Sequence, residues 1–149
     1  SLRSGMFQDP KSVESTNGIV LSSRIAYEQA GLGPKDIQVA EVHDAMAPVE
    51  LMHYEELGFC PEGEGARWLD EGRTKITGDI AVNPSGGLAG RGHPVAATGM
   101  AQIAEIVWQL RGEAGGRQVR SNPKVGLVQT SGGFVEDDAA VSAIVILKR

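Results

Sequence analysis

The chain has 149 residues, 41% apolar and 22% charged, a balance that suits one soluble globular domain with a single core. Lys and Arg number 14 against 19 Asp and Glu, and a net charge of -5 leaves no basic face for nucleic acid or an anionic membrane surface. No apolar run approaches the ~20 residues of a bilayer span, and nothing at the start reads as a signal peptide. The single cysteine, Cys60, excludes an internal disulfide framework or a Cys-rich zinc site, so the expectation is a reduced, cytoplasmic protein.

Residues 1–12 have no period and form a leading irregular segment with a turn signal at Asp9-Pro10. Val13 to Ala30 reads as a helix, capped by Thr16 or Asn17, with Ile19, Leu21, Ile25, Ala26 and Ala30 on its apolar face. Gly31 and Gly33-Pro34 end it. Ile37 to His43 reads as a short buried strand, followed by Asp44 as a possible cap for a helix from about Ala45 to Leu57. Pro48 is tolerable there because it lies in the first turn, and Gly58 stops the helix. Residues 60–85 form a long loop excursion rich in Gly, Glu and Pro, with one short extended piece at 78–83.

The clearest helical pattern runs from Val95 to about Arg111, with Ala96, Met100, Ile103, Ala104, Val107 and Leu110 on one face. Two strands close the chain, Val125 to Thr130 and Ala139 to Leu147, separated by Ser131-Gly132-Gly133. This order predicts an α/β fold, a layered mixed β-sheet with packed helices.

Three segments could carry chemistry. The first runs from Asn83 to Pro94, Asn-Pro-Ser-Gly-Gly-Leu-Ala-Gly-Arg-Gly-His-Pro, into the best helix of the chain. With proline favoured at a first helical position, His93 falls at or beside the helix cap, where the helix dipole opposes protonation. A neutral histidine there is a candidate general base; a plain helix cap fits the spacing equally well. Walker and dinucleotide patterns are absent. The second is His43-Asp44 at the carboxyl end of a strand, where ligands gather in open α/β sheets; a buried core histidine and a capping aspartate are the alternatives. The third is Gln129 to Phe134, where paired glycines can aim backbone N–H groups at an oxyanion or simply turn a hairpin. Glu50 and His53 make one Glu-x-x-His pair, too few ligands for a metal site, and His53 reads as solvent-facing. Trp68 and Leu69 could cover a ligand or pack over the domain edge.

Read together, His43-Asp44-Ala45-Met46, Tyr54 to Gly63, Asn83 to Gly99, Trp108 to Gly115 and Gly132-Gly133 resemble the C-terminal half of a thiolase. The similarity is closest to the sterol-carrier-protein or lipid-transfer thiolases and covers roughly Val13 to the end. The resemblance implies a thiolase-like C-terminal half lacking its first strand and helix. It implies acyl-CoA C-acyltransferase chemistry, with coenzyme A as substrate or product and no tightly bound cofactor or metal. His93 would activate a nucleophilic cysteine carried by an N-terminal half, in the same protein or a separate chain, and help to hold a thioester oxygen. His43 would share that oxyanion site, Gly132 or Gly133 would supply amides to a second, and Asn83 and Ser131 would support the site. A homo- or hetero-oligomer is implied, with a small zinc-ribbon/OB-fold protein as a further possible partner.

This sequence departs from the family where an acid/base cysteine is expected. It reads Ala45-Met46 after His43-Asp44, and Thr130-Ser131 before the paired glycines. Ala45 cannot move a proton, so that step falls to His43, a hydroxyl, water or another chemistry. Ala96 also replaces a glycine usual after Gly-His-Pro-hydrophobic. Cys60 reads as a small buried hydrophobe. The departures open two further readings: retro-aldol cleavage of a β-hydroxyacyl-CoA, or a non-catalytic subunit that binds acyl-CoA.

Overall fold

The short run of β-branched and small residues after Gly33-Pro34 builds the centre of a sheet. In the computed structural model, residues 18–119, 122–135 and 138–149 are described. Helix α1 is Gly18–Ala30, strand β1 Val39–Glu41, helix α2 Ala47–Glu56, helix α3 Gly65–Asp70 and strand β2 Ala81–Val82. They are followed by helix α4, Gly87–Arg91, helix α5, Thr98–Arg111, and strands β3, Val125–Val135, and β4, Asp138–Lys148. The leading segment 1–12 and the proposed caps Thr16 and Asn17 lie outside the described residues.

The sheet order is β2-β1-β3-β4. Strand β1 runs parallel to both β2 and β3, while β3 and β4 pair antiparallel from Val125↔Lys148 to Val135↔Asp138. Alternating side chains divide the core between the two faces. Ala40, Val42, Val125 and Leu127 pack with Ile19 and Tyr27 of α1, Tyr54 of α2 and Trp68 of α3. Val39, Ala81 and Val128 pack with Ile106 and Leu110 of α5. The result is the layered mixed sheet that the pattern predicts.

Several elements differ from the sequence reading. The buried stripe of α1 is Ile19, Ser23 and Tyr27, whereas Ile25 is 45% exposed. Within residues 60–85, strand β2 falls in the extended piece expected at 78–83, whereas helix α3 was not expected. Ser131, Gly132 and Gly133 do not separate two strands. They lie within β3, with Gly132 opposite Val141.

The largest difference concerns α5. Its buried face is Thr98, Gln102, Glu105, Ile106, Gln109 and Leu110. Polar groups are buried there because most find a partner, Gln102 Oε1 being the exception. Gln102 Nε2 donates to the Gln129 carbonyl at 3.1 Å, and Gln109 Nε2 donates to the Arg117 carbonyl at 2.8 Å. Gln109 Oε1 accepts from the Val119 N–H at 2.9 Å, and Glu105 pairs with Arg117 at 2.9 Å. The expected apolar face therefore turns outward in part, leaving Met100 66% exposed.

Candidate active site

The carboxyl end of β1 places His43 and Asp44 beside the segment that leaves β2, and Gln129 of β3 lies alongside. His43 and His93, fifty residues apart in the sequence, meet edge to face, with ring centroids 4.9 Å apart and planes at 87°. His43 is partly buried, and its Nδ1 is buried without a hydrogen-bond partner. Burial, then the neighbouring His93 and His53, lower its pKa and favour the neutral ring. Its backbone N–H donates to Gln129 Oε1 at 2.8 Å, and Gln129 Nε2 donates to Ser131 Oγ at 2.7 Å. Through that amide, Ser131 is joined to the His43 backbone.

His93 is exposed and is not at the cap of α5. Pro94 opens a turn rather than the helix, the N-cap residue is Ala97, and Ala96 adopts a left-handed φ of 69°. That backbone suits glycine, and alanine is strained in it. The ring is nevertheless tied to the helix, because its Nδ1 lies 2.7 Å from Thr98 Oγ1. Thr98 Oγ1 donates its one proton to the Pro94 carbonyl at 3.2 Å. With that proton on Pro94, Nδ1 is the donor to Oγ1 and the Nε2 lone pair is the free basic position; a hydroxyl proton turned to Nδ1 instead would give the other tautomer.

Asn83 supports the same corner. At φ 49° its Oδ1 accepts from the Val42 N–H at 2.8 Å, and its Nδ2 donates to Glu50 Oε2 at 2.6 Å. Glu50 also receives the Tyr54 hydroxyl. Asp44 is a cap, but for α4 rather than α2. Its Oδ1 accepts from the Leu88 N–H at 2.7 Å, while the N-cap of α2 is Met46. Gly87, at φ 62°, has no room for a Cβ, which would stand 2.2 Å from Asp44 Oδ2. Gly132 and Gly133 are exposed at the end of β3, and Gly133 has φ 67°.

His53 is not solvent-facing. It is 3% exposed, with Nδ1 2.7 Å from Glu56 Oε2 and Nε2 3.3 Å from the His43 carbonyl, and so underpins His43. Its helical spacing alone could not place it, because α2 has only a weak apolar face. Among the described residues no group of His, Cys, Asp and Glu could hold a metal ion. Nor is any described helix long and apolar enough to cross a membrane.

Cys60 lies far from the histidines in the fold. With Ile37, Phe59, Trp68, Arg73 and Ile80 it lines a cleft of about 500 Å³ at the opposite, amino-terminal ends of β1 and β2. Burial pushes its thiol up to about 11, which suits an inert apolar side chain. Trp68 packs in the core under the Arg73 guanidinium, whose carbon is 3.7 Å from the ring centroid, whereas Leu69 is 43% exposed.

The sequence reading gave no individual role to Glu41, Ser85, Arg91, Thr98 or Gln129, though Ser85, Arg91 and Gln129 lie in segments it singled out. Glu41 carried a signal, since strand alternation puts it on the same face as Val39, towards the core.

Residues 3–149 match the family described as Thiolase C-terminal domain-like. The chain is 48% identical over 125 residues to the acetyl-CoA acetyltransferase of Methanothermobacter thermautotrophicus, which covers 84% of this chain and 32% of that protein. It is 55% identical over 98 residues to sterol carrier protein 2 of Homo sapiens, which covers 66% of this chain and 18% of that protein. Among solved structures, the Ltp2-ChsH2(DUF35) aldolase superposes with a TM-score of 0.75 at 30% identity, covering 97% of this chain and 37% of that one. The chain thus spans about a third or less of the curated relatives named here. Family match, identity and fold agree: this chain belongs to the thiolases, as a C-terminal domain of that family.

Proposed function

We propose that this domain is the C-terminal part of a thiolase-type acyl-CoA C-acyltransferase, making or cleaving a carbon–carbon bond beside a thioester carbonyl. The observation that carries the reading is the edge-to-face contact between His43 and His93. In this reading His93 Nε2 takes the proton of a cysteine thiol supplied by an N-terminal half. The resulting thiolate attacks the acyl carbonyl, forming an acyl-enzyme. His43 stabilises the oxygen of a bound thioester, and the Gly132 and Gly133 amides, with Asn83 and Ser131 in support, serve a second oxyanion. Coenzyme A is a substrate or product.

The outward apolar residues Met46, Val95, Met100 and Trp108, each 45% exposed or more, support a covering partner. We assign that role to the nucleophile-bearing half, whether in the same polypeptide or in a second subunit. A small zinc-ribbon/OB-fold protein is a further partner of the assembly.

Retro-aldol cleavage of a β-hydroxyacyl-CoA is the second reading. It is favoured by Ala45, where a second thiol would serve, and by the likeness to a solved aldolase. Retro-aldol cleavage needs a base for the hydroxyl proton but no free coenzyme A. The test is turnover by the full protein of a β-ketoacyl-CoA with free CoA, beside a β-hydroxyacyl-CoA without it. Cleavage in the first assay alone, lost by at least ~100-fold in His93→Ala, is the expected result. Activity in the second assay alone would establish the aldol reading, and His93→Ala at full rate would remove His93 from the chemistry.

A further inference from the structure

Glu41 is a buried carboxylate that the proposed chemistry does not use. It is 0% exposed on the α5 side of β1, two residues before His43. Its Oε1 accepts from the Ser85 N–H at 3.0 Å and its Oε2 from Ser85 Oγ at 2.7 Å. Arg91 of α4 brings Nη2 to 3.7 Å from the same oxygen. From α5, Glu105 faces it, itself paired with Arg117. Burial, partly opposed by Ser85 and Arg91, raises its pKa to about 7.

Ser85 is saturated by this arrangement. Its one hydroxyl proton goes to Glu41, and its oxygen accepts from Arg91 Nε at 3.2 Å and the Gly87 N–H at 3.2 Å. Glu41 is therefore the acceptor on which this node rests. The node clamps both ends of 85–91 to a strand bonded on both sides, and Arg91 is two residues from His93. Beyond Arg91 the chain is exposed from Gly92 to Ala97, where the contacts of the His93 ring among the described residues are with Thr98 and His43. A buried carboxylate is a costly link, but one directional enough to fix a glycine-rich segment.

We propose that Glu41 is a positioning residue that, through Ser85 and Arg91, sets where the His93 ring stands against His43. The consequence for rate rests on the reading of the two histidines as catalytic; the placement of the rings does not.

The experiment compares the full protein with Glu41→Gln, which keeps the shape but loses the charge and one acceptor, and with Arg91→Gln, which breaks the far side of the node. Glu105→Gln is the control, a neighbouring buried carboxylate with no bond to residues 85–94. The readout is the ring resonances of His43 and His93 by NMR, each assigned by its own substitution. The two rings are expected to shift together in Glu41→Gln and Arg91→Gln and to stay in place in Glu105→Gln. Unmoved rings in folded Glu41→Gln, or equal movement in Glu105→Gln, would overturn the proposal. Should Glu41→Gln fail to fold, Arg91→Gln decides by the same criterion. Where the parent protein turns over a CoA thioester, kcat should fall about 10- to 100-fold in Glu41→Gln with KM little changed, and an unchanged kcat also overturns the proposal. Moved rings in a protein that turns over no CoA thioester would leave the positioning intact and sink the catalytic reading instead.

Discussion

The edge of one imidazole meets the face of the other where His43 and His93 touch, 4.9 Å between centroids. The contact puts a ring whose Nδ1 has no partner next to a second ring, whose charge would oppose one on His43.

That relationship predicts a pH dependence. The pKa of His43 is lowered from 6.5 in the folded state, so as pH falls the unfolded chain takes up this proton first. The wild type should therefore lose stability relative to His43→Asn as pH drops through 6.5, with no such divergence above pH 7.5 or so. Calorimetric Tm values for both proteins from pH 8 to pH 5 check this. Parallel curves would mean that His43 charges as easily folded as unfolded.

Ala96 predicts a stabilising substitution. It holds a φ of 69°, a region that disfavours any side chain, one residue before the N-cap of α5. Ala96→Gly relieves that strain, less the extra entropy glycine carries in the unfolded chain, for a net gain of about 0.5–1 kcal/mol. Urea unfolding measures it, and a loss of stability would contradict the backbone geometry.

Sheet and helices were legible because they rest on local signals: alternation in Ile37 to Val42, glycine stops at 31 and 58, and apolar runs in the last two strands. Misreadings arose where polar side chains found distant partners. Gln102, Glu105 and Gln109 look like the wet face of α5, yet they are its buried face, because Gln129, Arg117 and Val119 receive them. The site was half legible. His43 and His93 were marked by their neighbours in sequence, but their contact depends on where α4 sits. Asp44 controls that through a bond spanning 44 residues, which no local pattern carries.

This bond predicts a coupled pair. Asp44→Ala leaves the buried Leu88 N–H without an acceptor and should cost about 1–3 kcal/mol. Gly87→Ala drives a Cβ to 2.2 Å from Asp44 Oδ2 at a left-handed φ, and should cost at least ~2 kcal/mol. Since the second clash is with the carboxylate that the first substitution removes, the double variant should be more stable than the sum by ~1 kcal/mol or more. Additive costs in a denaturant series would show that Gly87 is needed for its φ alone.

Thr98 predicts a separation between hydroxyl and shape. With its Oγ1 proton on the Pro94 carbonyl, Thr98 accepts from His93 Nδ1, and that arrangement keeps the His93 lone pair on Nε2. Thr98→Val keeps the β-branched shape and deletes the acceptor, so the ring is free to populate both tautomers. Thr98→Ser keeps the acceptor and should behave as the parent. The ¹⁵N shifts of the two ring nitrogens report the tautomer directly, and in the full protein kcat should fall about 10- to 100-fold for Val alone. If Thr98→Val kept a single Nδ1–H tautomer, the ring would be held by something other than this hydroxyl. His43, whose edge-to-face contact is the other restraint on the ring, would then be the residue that orients it.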